Sequence, residues 1–531
     1  MNATYIDYEE THAFSDTVIS YLCNDTRLKP FIVQQADITG FSRLLQEKHF
    51  NGNRQLLAET LTNQYRDTGI KADENPVVFS NIESLKQENT YTVTTGHQLN
   101  IFTGPLYFIY KIVTAINLAK ELKENFPDKH FVPVYWMATE DHDFAEINHT
   151  YLLNKKISWN VTASGATGRM ATKTIAEAIK QYQGILGISA NAVKLSRLIE
   201  HAYLNHHTLA DATRYLVNAL FSEYGLVIID ADNKNLKAQF AGIIEQDIIE
   251  QNSYRLIAES SEALQEAGFK TQVNAREINF FYLNGELRER LTEKDGQYFV
   301  LNSDISFTAK ELRQEIRQHP ERFSPNVILR PLYQEVILPN LAYIGGGAEI
   351  VYWLQLKKNF GFYEVDFPIL ILRNSAMIAD DVIAGKLRRL DLNFPDLFKP
   401  VELIRQEWVK QHTDKDLSLA DEWQEMRCIF EKIKLRAFKI DTTLAPSTEA
   451  VRERLHHQLQ SLEKKLLKAE KRNYATALGQ IERLREKLFP GGGLQERKEN
   501  FGMFYVQYGD EFIRTLVRYF KPLDFKFTIL Y

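Results

Sequence analysis

The chain has 531 residues, 44% hydrophobic and 25% charged, the composition of a globular protein with a large buried core and room for roughly two to four domains. Its 64 basic and 69 acidic residues leave a net charge of −5, which gives no sign of a footprint for nucleic acid or an anionic membrane surface, and no apolar run approaches the roughly 18 residues of a membrane span. Two distant cysteines, Cys23 and Cys428, exclude a disulfide framework and a cysteine-based zinc site; with no signal-like start at Met1 to Tyr5, the expectation is a cytoplasmic, enzyme-sized protein with reduced thiols.

Residues 1 to about 90 read as largely helical, with helical spacing over Phe41 to Glu47 and Leu56 to Tyr65. The sheet signal starts at Tyr91 to Thr95. A helix of about Pro105 to Asn125 follows, then a second strand, Phe131 to Met137. Three more short apolar runs, Leu226 to Asp230, Asn326 to Arg330 and Pro368 to Arg373, extend the pattern of strands buried on both faces with helices between. The expected fold is α/β: a Rossmann-like, doubly wound parallel sheet over residues 1–395. Two segments, about 151–171 and 272–325, read as insertions, the second with a hairpin at Asn284-Gly285. Residues 396–490 read as an α-helical antiparallel coiled coil: a helix of about Leu417 to Phe438 faces one started by Pro446, whose Leu455, Leu459, Leu462, Leu466 and Ala469 keep a 4-3-4-3 spacing. The register then shifts like a stutter. Residues 491–531 read as a helix, Arg497 to Tyr519, and a strand, Phe525 to Leu530, returning to the core.

Chemistry is expected where strands end, because open parallel sheets bind ligands at their carboxyl edge. After the first strand come Thr95, Gly96, His97, Gln98, Thr103 and Gly104, a loop whose glycines permit close backbone approach and whose amides lead into a helix. After the second come Glu140, Asp141, His142 and Asp143. Three carboxylates in four residues repel one another unless exposed, paired or metal-bound; His142 can be held by one of them as an acid or base, and Asp141 and Asp143 can meet Mg²⁺ carried by a nucleotide. His142 and His149 match no zinc signature, so no resident metal is expected. Gly345, Gly346 and Gly347 before Glu349 can offer amides to an anion, without the lysine of a Walker A loop. Arg330 and Arg373 close predicted strands and suit carboxylate or phosphate.

The Thr95-to-Tyr107 segment (Thr-Gly-His-Gln…Phe-Thr-Gly-Pro-Leu-Tyr), Glu140 to Asp143 with Asn148-His149, Arg330-Pro331…Gln334, and Gly345 to Trp353 together resemble the cysteine ligase family of bacillithiol synthesis. Their order and the late coiled coil extend the resemblance over the whole chain. It implies a core akin to class I nucleotidyltransferases and cysteinyl-tRNA synthetase, inserted connecting segments, and a coiled coil that forms a homodimer. It also implies a reaction that adds cysteine to the amino group of glucosaminyl-malate, with ATP to activate the carboxylate. Thr95, Gly96, Gln98, Thr103, Gly104, Glu140, Arg330, Gly345, Gly346, Gly347, Glu349 and Arg373 would bind substrate or nucleotide; His142, Asp141, Asp143 and His97 would be catalytic. The family pattern has Gln at the place of His97, which favours His142 as the working imidazole. No Lys-Met-Ser-Lys-Ser segment is present, so adenylate and acyl-phosphate routes both stay open. Two other readings fit the same residues: a non-catalytic nucleotide-binding assembly protein, and a nucleotidyltransferase acting on another substrate.

Overall fold

Short apolar runs with polar ends fold as a five-stranded parallel sheet in the computed structural model, which describes residues 1–531. Its strands are β1 (Thr90–His97), β2 (His130–Met137), β3 (Val227–Asp230), β4 (Asn340–Gly345) and β5 (Ile369–Leu372), in the spatial order β5-β4-β1-β2-β3. Every neighbouring pair is parallel. This is the Rossmann order, and the direction of winding reverses between β1 and β4. Helix α1 (Tyr107–Asn125) connects β1 to β2 and is buried along most of its length. Helices α2 (Arg330–Ile337) and α3 (Gly347–Leu354) flank β4.

The run Asn326 to Arg330 is not a strand. The Asn326 side chain accepts the Ile328 amide at 2.9 Å, its carbonyl accepts the Arg330 amide at 2.9 Å, and Pro331 sits in the first turn of α2. An asparagine bonding its own backbone two residues on makes a turn, and proline favours a helix start. The strand comes later, at β4, where Leu341, Ala342, Tyr343 and Ile344 are all buried.

The chain divides into two compact units, one comprising residues 1–9, 13–378 and 493–530, the other residues 10–12, 379–492 and 531. In the first unit, residues 149–158 form a small hairpin. Strands at Phe280–Asn284, Leu287–Lys294, Gln297–Val300, Ser306–Thr308 and Phe323–Pro325 form an antiparallel sheet. Asn284 pairs with Leu287, so the turn residues are Gly285, with φ +60°, and Glu286, one place later than the sequence suggested. The expected helix Arg497 to Tyr519 is two helices, Gly502–Tyr508 and Glu511–Tyr519, separated at Gly509 with φ +60°. The strand Lys526–Leu530 lies between Ala3–Asp7, antiparallel, and Ala376–Ile378, parallel.

In the second unit, α4 (Ala420–Ile440) and α5 (Leu444–Asn473) fold back on each other. Trp423 stacks on His456 at 4.3 Å, and Arg452 bonds Glu431 at 3.0 Å, as antiparallel pairing requires. The shift in leucine register coincides with a break at Tyr474 before the helix Ala475–Leu488. No helix of the chain is long and apolar enough to cross a membrane.

Candidate active site

A cavity of about 1040 Å³ opens at the carboxyl edge of the parallel sheet, within the first unit. Gly96, His97 and Gln98 of the β1 end, Ala138 to His142 after β2, Gly346 to Glu349 after β4, and Arg373 after β5 all line it. Phe281 and Arg288 of the inserted antiparallel sheet form part of its wall. The strand order places the β1–β4 reversal, where open sheets bind ligands, in its floor.

That floor is a buried charge network. Lys111, on the α1 face against the sheet, donates to the Gly96 carbonyl at 2.9 Å and pairs with Glu349. Glu349 also accepts the Tyr343 hydroxyl at 2.8 Å and the Gly346 amide at 2.7 Å. Burial opposes the Glu349 carboxylate, but Lys111, the Gly346 amide and Tyr343 outweigh it and hold its pKa below the usual value. Gly96 leaves room for its neighbours: a side chain there would meet the Tyr343 hydroxyl at 3.3 Å and Arg330 at 3.6 Å. His97 packs between Tyr107 and Phe108, with its Nε2 buried and unpartnered. Burial, then the Lys111 and Arg373 cations, lower its pKa well below the usual range, so it is a neutral imidazole.

The acidic loop is divided among separate tasks. Glu140 turns inward and pairs with buried Lys237, which also lies 3.5 Å from Asp232; Asp232 in turn takes Arg169 at 2.8 Å. Burial raises the Glu140 pKa, against the pull of Lys237. Asp141 accepts the His142 amide at 2.7 Å and the Gln98 side-chain amide at 2.6 Å; Gln98 also bonds Glu146 at 2.8 Å. Asp143 caps the short helix Phe144–Ile147. His142 is half-exposed at the cavity, and its Nδ1 meets Arg288, which lies 4.0 Å over Phe281.

Two arginines face the cavity with unlike partners. Arg373 is committed to Glu496 at 2.6 Å and Ser375 at 2.9 Å, but its Nε is buried and unpartnered. Arg330 donates to the Gln334 side chain at 3.0 Å and approaches the Tyr352 hydroxyl at 3.5 Å, and no carboxylate lies within ion-pair distance of it. A Cβ on Gly346 would sit 3.4 Å from Glu349 Oε2 and 3.9 Å from the Arg373 Nε, so the glycine leaves both groups uncrowded.

Other sequence candidates do not line the cavity. The Thr95 hydroxyl donates to the Ile344 carbonyl at 2.9 Å, tying β1 to β4. Thr103 and Gly104, at φ +72° and +62°, shape the loop before α1, where a Cβ on Gly104 would strike Asn100 at 2.6 Å. Gly345 belongs to β4, and only Gly346 and Gly347 open on the cavity. Sequence reasoning missed Lys111, Lys237 and Arg288. A lone lysine inside the apolar run Phe108 to Ala119 was a visible signal, since lysine is seldom fully buried unless paired; Arg288 was hidden among the alternating charges of Arg288 to Arg290.

Comparison with known proteins covers the chain end to end. Residues 1–374 match the family described as the bacillithiol biosynthesis BshC N-terminal Rossmann-like domain, and residues 376–531 match its C-terminal coiled-coil domain. Relatives named "Putative cysteine ligase BshC" occur in Flavobacterium psychrophilum, 42% identical over 99% of this chain and 98% of that protein, and in Cytophaga hutchinsonii, 36% identical over 98% and 97%. One in Bacillus cytotoxicus is 29% identical over 94% of each. A Rossmann-like unit with a cation-lined cavity at its switch point, a coiled-coil unit after it, and likeness over the full length make the chain a member of the BshC family of bacillithiol biosynthesis.

Proposed function

We propose that the chain joins the carboxyl group of L-cysteine to the amino group of glucosaminyl-malate, with ATP activating the carboxylate. The observation that carries this reading is Arg330, a guanidinium in the cavity with no carboxylate partner of its own. Arg330 is half-buried; the Glu349 carboxylate attracts it without an ion pair, and it lies over the Trp136 and Tyr343 rings, so its guanidinium donors remain available for an anionic substrate group. Carboxylate and amine do not condense unaided in water, and ATP supplies the activation by turning a carboxylate oxygen into a leaving group. The residues that would meet a phosphate are the Gly346-Gly347 backbone before α3 and the Arg373 guanidinium, which line one cavity, although the Glu349 carboxylate already accepts the Gly346 amide there. Arg330 and Arg373 hold anionic oxygens and stabilise charge developing on them. Arg288 only donates, so the Nδ1 of half-exposed His142 accepts from it and Nε2 carries the hydrogen; when that contact opens, Nδ1 takes the proton released by the attacking amine and Nε2 passes its own on. No three His, Cys, Asp or Glu side chains converge as a metal site, so magnesium enters the proposal only with the nucleotide.

Incubation with ATP, cysteine and glucosaminyl-malate, read by mass spectrometry, tests the reading. The expected product has the mass of both substrates less one water and requires ATP; its absence from a folded preparation removes the proposal. Gly346→Val tests the nucleotide's place. Gly346 has φ −74°, which valine accepts, so the variant should fold and lose ATP affinity by calorimetry; unchanged affinity would put the nucleotide elsewhere. We further propose a homodimer formed through the coiled coil.

A further inference from the structure

Arg330 is held by a chain of side chains that ends on a buried carboxylate. Its guanidinium donates to the Gln334 Oε1 at 3.0 Å, one turn along α2. The other end of that amide, Nε2, donates to Glu335 Oε1 at 2.8 Å. The same oxygen accepts the Asn340 side-chain amide at 2.8 Å. Asn340 is locked in turn, because its own oxygen accepts the Thr94 hydroxyl at 2.8 Å and the Thr92 hydroxyl at 3.1 Å from β1. Gln334, Glu335 and Asn340 are all buried. Every donor in this chain points toward Glu335, so both amides have only one satisfied orientation.

We propose that Gln334 and Glu335 are positioning residues for Arg330: the carboxylate fixes the Gln334 amide with its oxygen toward the guanidinium, which is thereby held by a neutral acceptor and keeps its charge for an anionic oxygen of the substrate. This rests on the reading that Arg330 binds such a group, and deepens it. A carboxylate at position 334 would pair with Arg330 and cancel the charge. An aliphatic side chain there would leave the guanidinium unheld. Placing the negative charge one residue further on orients Arg330 without neutralising it.

The arrangement is sensitive to pH. Burial raises the Glu335 pKa to about 7, against the pull of Lys48, Asn340, Gln334 and Arg330. The charges facing it are Lys48, 3.9 Å away, and Arg330, with Asp366 and Arg54 acting through Lys48. Arg330 has only donors and still requires the Gln334 oxygen, but a protonated Glu335 accepts more weakly from the Gln334 Nε2, so the amide is held less firmly against the guanidinium. Anion binding at Arg330 should therefore strengthen as pH rises through about 7.

Calorimetry on the full chain tests this, with glucosaminyl-malate and ATP titrated separately at pH 6, 7 and 8; the two ligands distinguish a malyl carboxylate from a phosphate as the group at Arg330. For the ligand that Arg330→Gln weakens, Glu335→Gln should weaken binding about tenfold at pH 8 and little at pH 6, with no further loss in the double variant. Gln334→Leu, which spares the Lys48–Glu335 pair, should show the same loss if Glu335→Gln fails to fold. Wild-type affinity at pH 8 in both Glu335→Gln and Gln334→Leu, while Arg330→Gln is impaired, would overturn the positioning role alone. So would a full additional loss in the double variant, the mark of general structural damage. Wild-type affinity for both ligands in Arg330→Gln would remove the reading of Arg330 and this proposal with it.

Discussion

His142 and Lys111 answer opposite questions about single residues. His142 is half-exposed and contributes little packing, so His142→Ala should leave the melting temperature nearly unchanged while product formation, followed by mass spectrometry, falls at least about tenfold. Full activity would remove His142 from the mechanism. Lys111 is buried, and its partner Glu349 is 24% exposed and keeps the Gly346 amide and Tyr343 hydroxyl, so Lys111→Met is expected to cost about 1–3 kcal/mol in denaturant unfolding, and a change below about 0.5 kcal/mol would mean that water replaces the cation. The contrast also explains what could be read beforehand. The strand-end positions of Gly96, His97, Glu140 to His142 and Arg373 were legible, because each closes or follows an apolar run whose carboxyl end had to meet the site; Gly346 was legible only as one of three glycines before a helix. Their partners were not. Lys237 and Arg288 come from segments about a hundred residues or more away, and nothing in local spacing says that they meet Glu140 and His142.

At the scale of elements, β1, β2, β3 and β5 were legible as β-rich apolar runs, and β4 was displaced onto Asn326 to Arg330. Ile328 and Leu329 are apolar enough for a strand and are indeed buried, but in a turn, where the Asn326 side chain and Pro331 decide the backbone. The coiled coil was legible from leucine spacing, yet its hairpin covers little of itself: no residue of α4 is fully buried, and Ile433, Phe438, Ile440, Leu444 and Val451 near its turn are each more than two-fifths exposed. Apolar surface gathered this way usually meets a partner. If the partner is a second copy, Phe438→Glu with Ile440→Glu should convert a dimer to a monomer in light scattering and leave far-ultraviolet dichroism intact. A wild-type protein that is monomeric at micromolar concentration would refute the homodimer.

For the whole molecule, Glu335 sets a measurable dependence of stability on pH. Its folded-state pKa, about 7, exceeds its ordinary 4.5, so between those values the folded chain holds a proton that the unfolded chain has released. Stability from this group is therefore full at low pH and declines as pH rises through the window, by at most about 3 kcal/mol. Other buried carboxylates act in both directions, Asp247 raised and Glu349 lowered, so the readout is the difference between wild type and Glu335→Gln. That difference should change between pH 5 and 8 in urea unfolding, and a constant difference would show that Glu335 keeps one charge state throughout.

The strand Lys526–Leu530 has a consequence for how the protein is made. It fills the gap between Ala3–Asp7 and Ala376–Ile378, and Glu496, just before its helices, is the counter-ion of Arg373 at the cavity. Residues 379–492, the helical unit, leave the ribosome before either of them. A nascent chain that has already built its parallel sheet therefore carries Arg373 without Glu496 and a sheet edge awaiting its middle strand. The first unit must wait, open, while the second is synthesised. Unpaired strand edges recruit other chains, so aggregation is expected to be greatest in this interval.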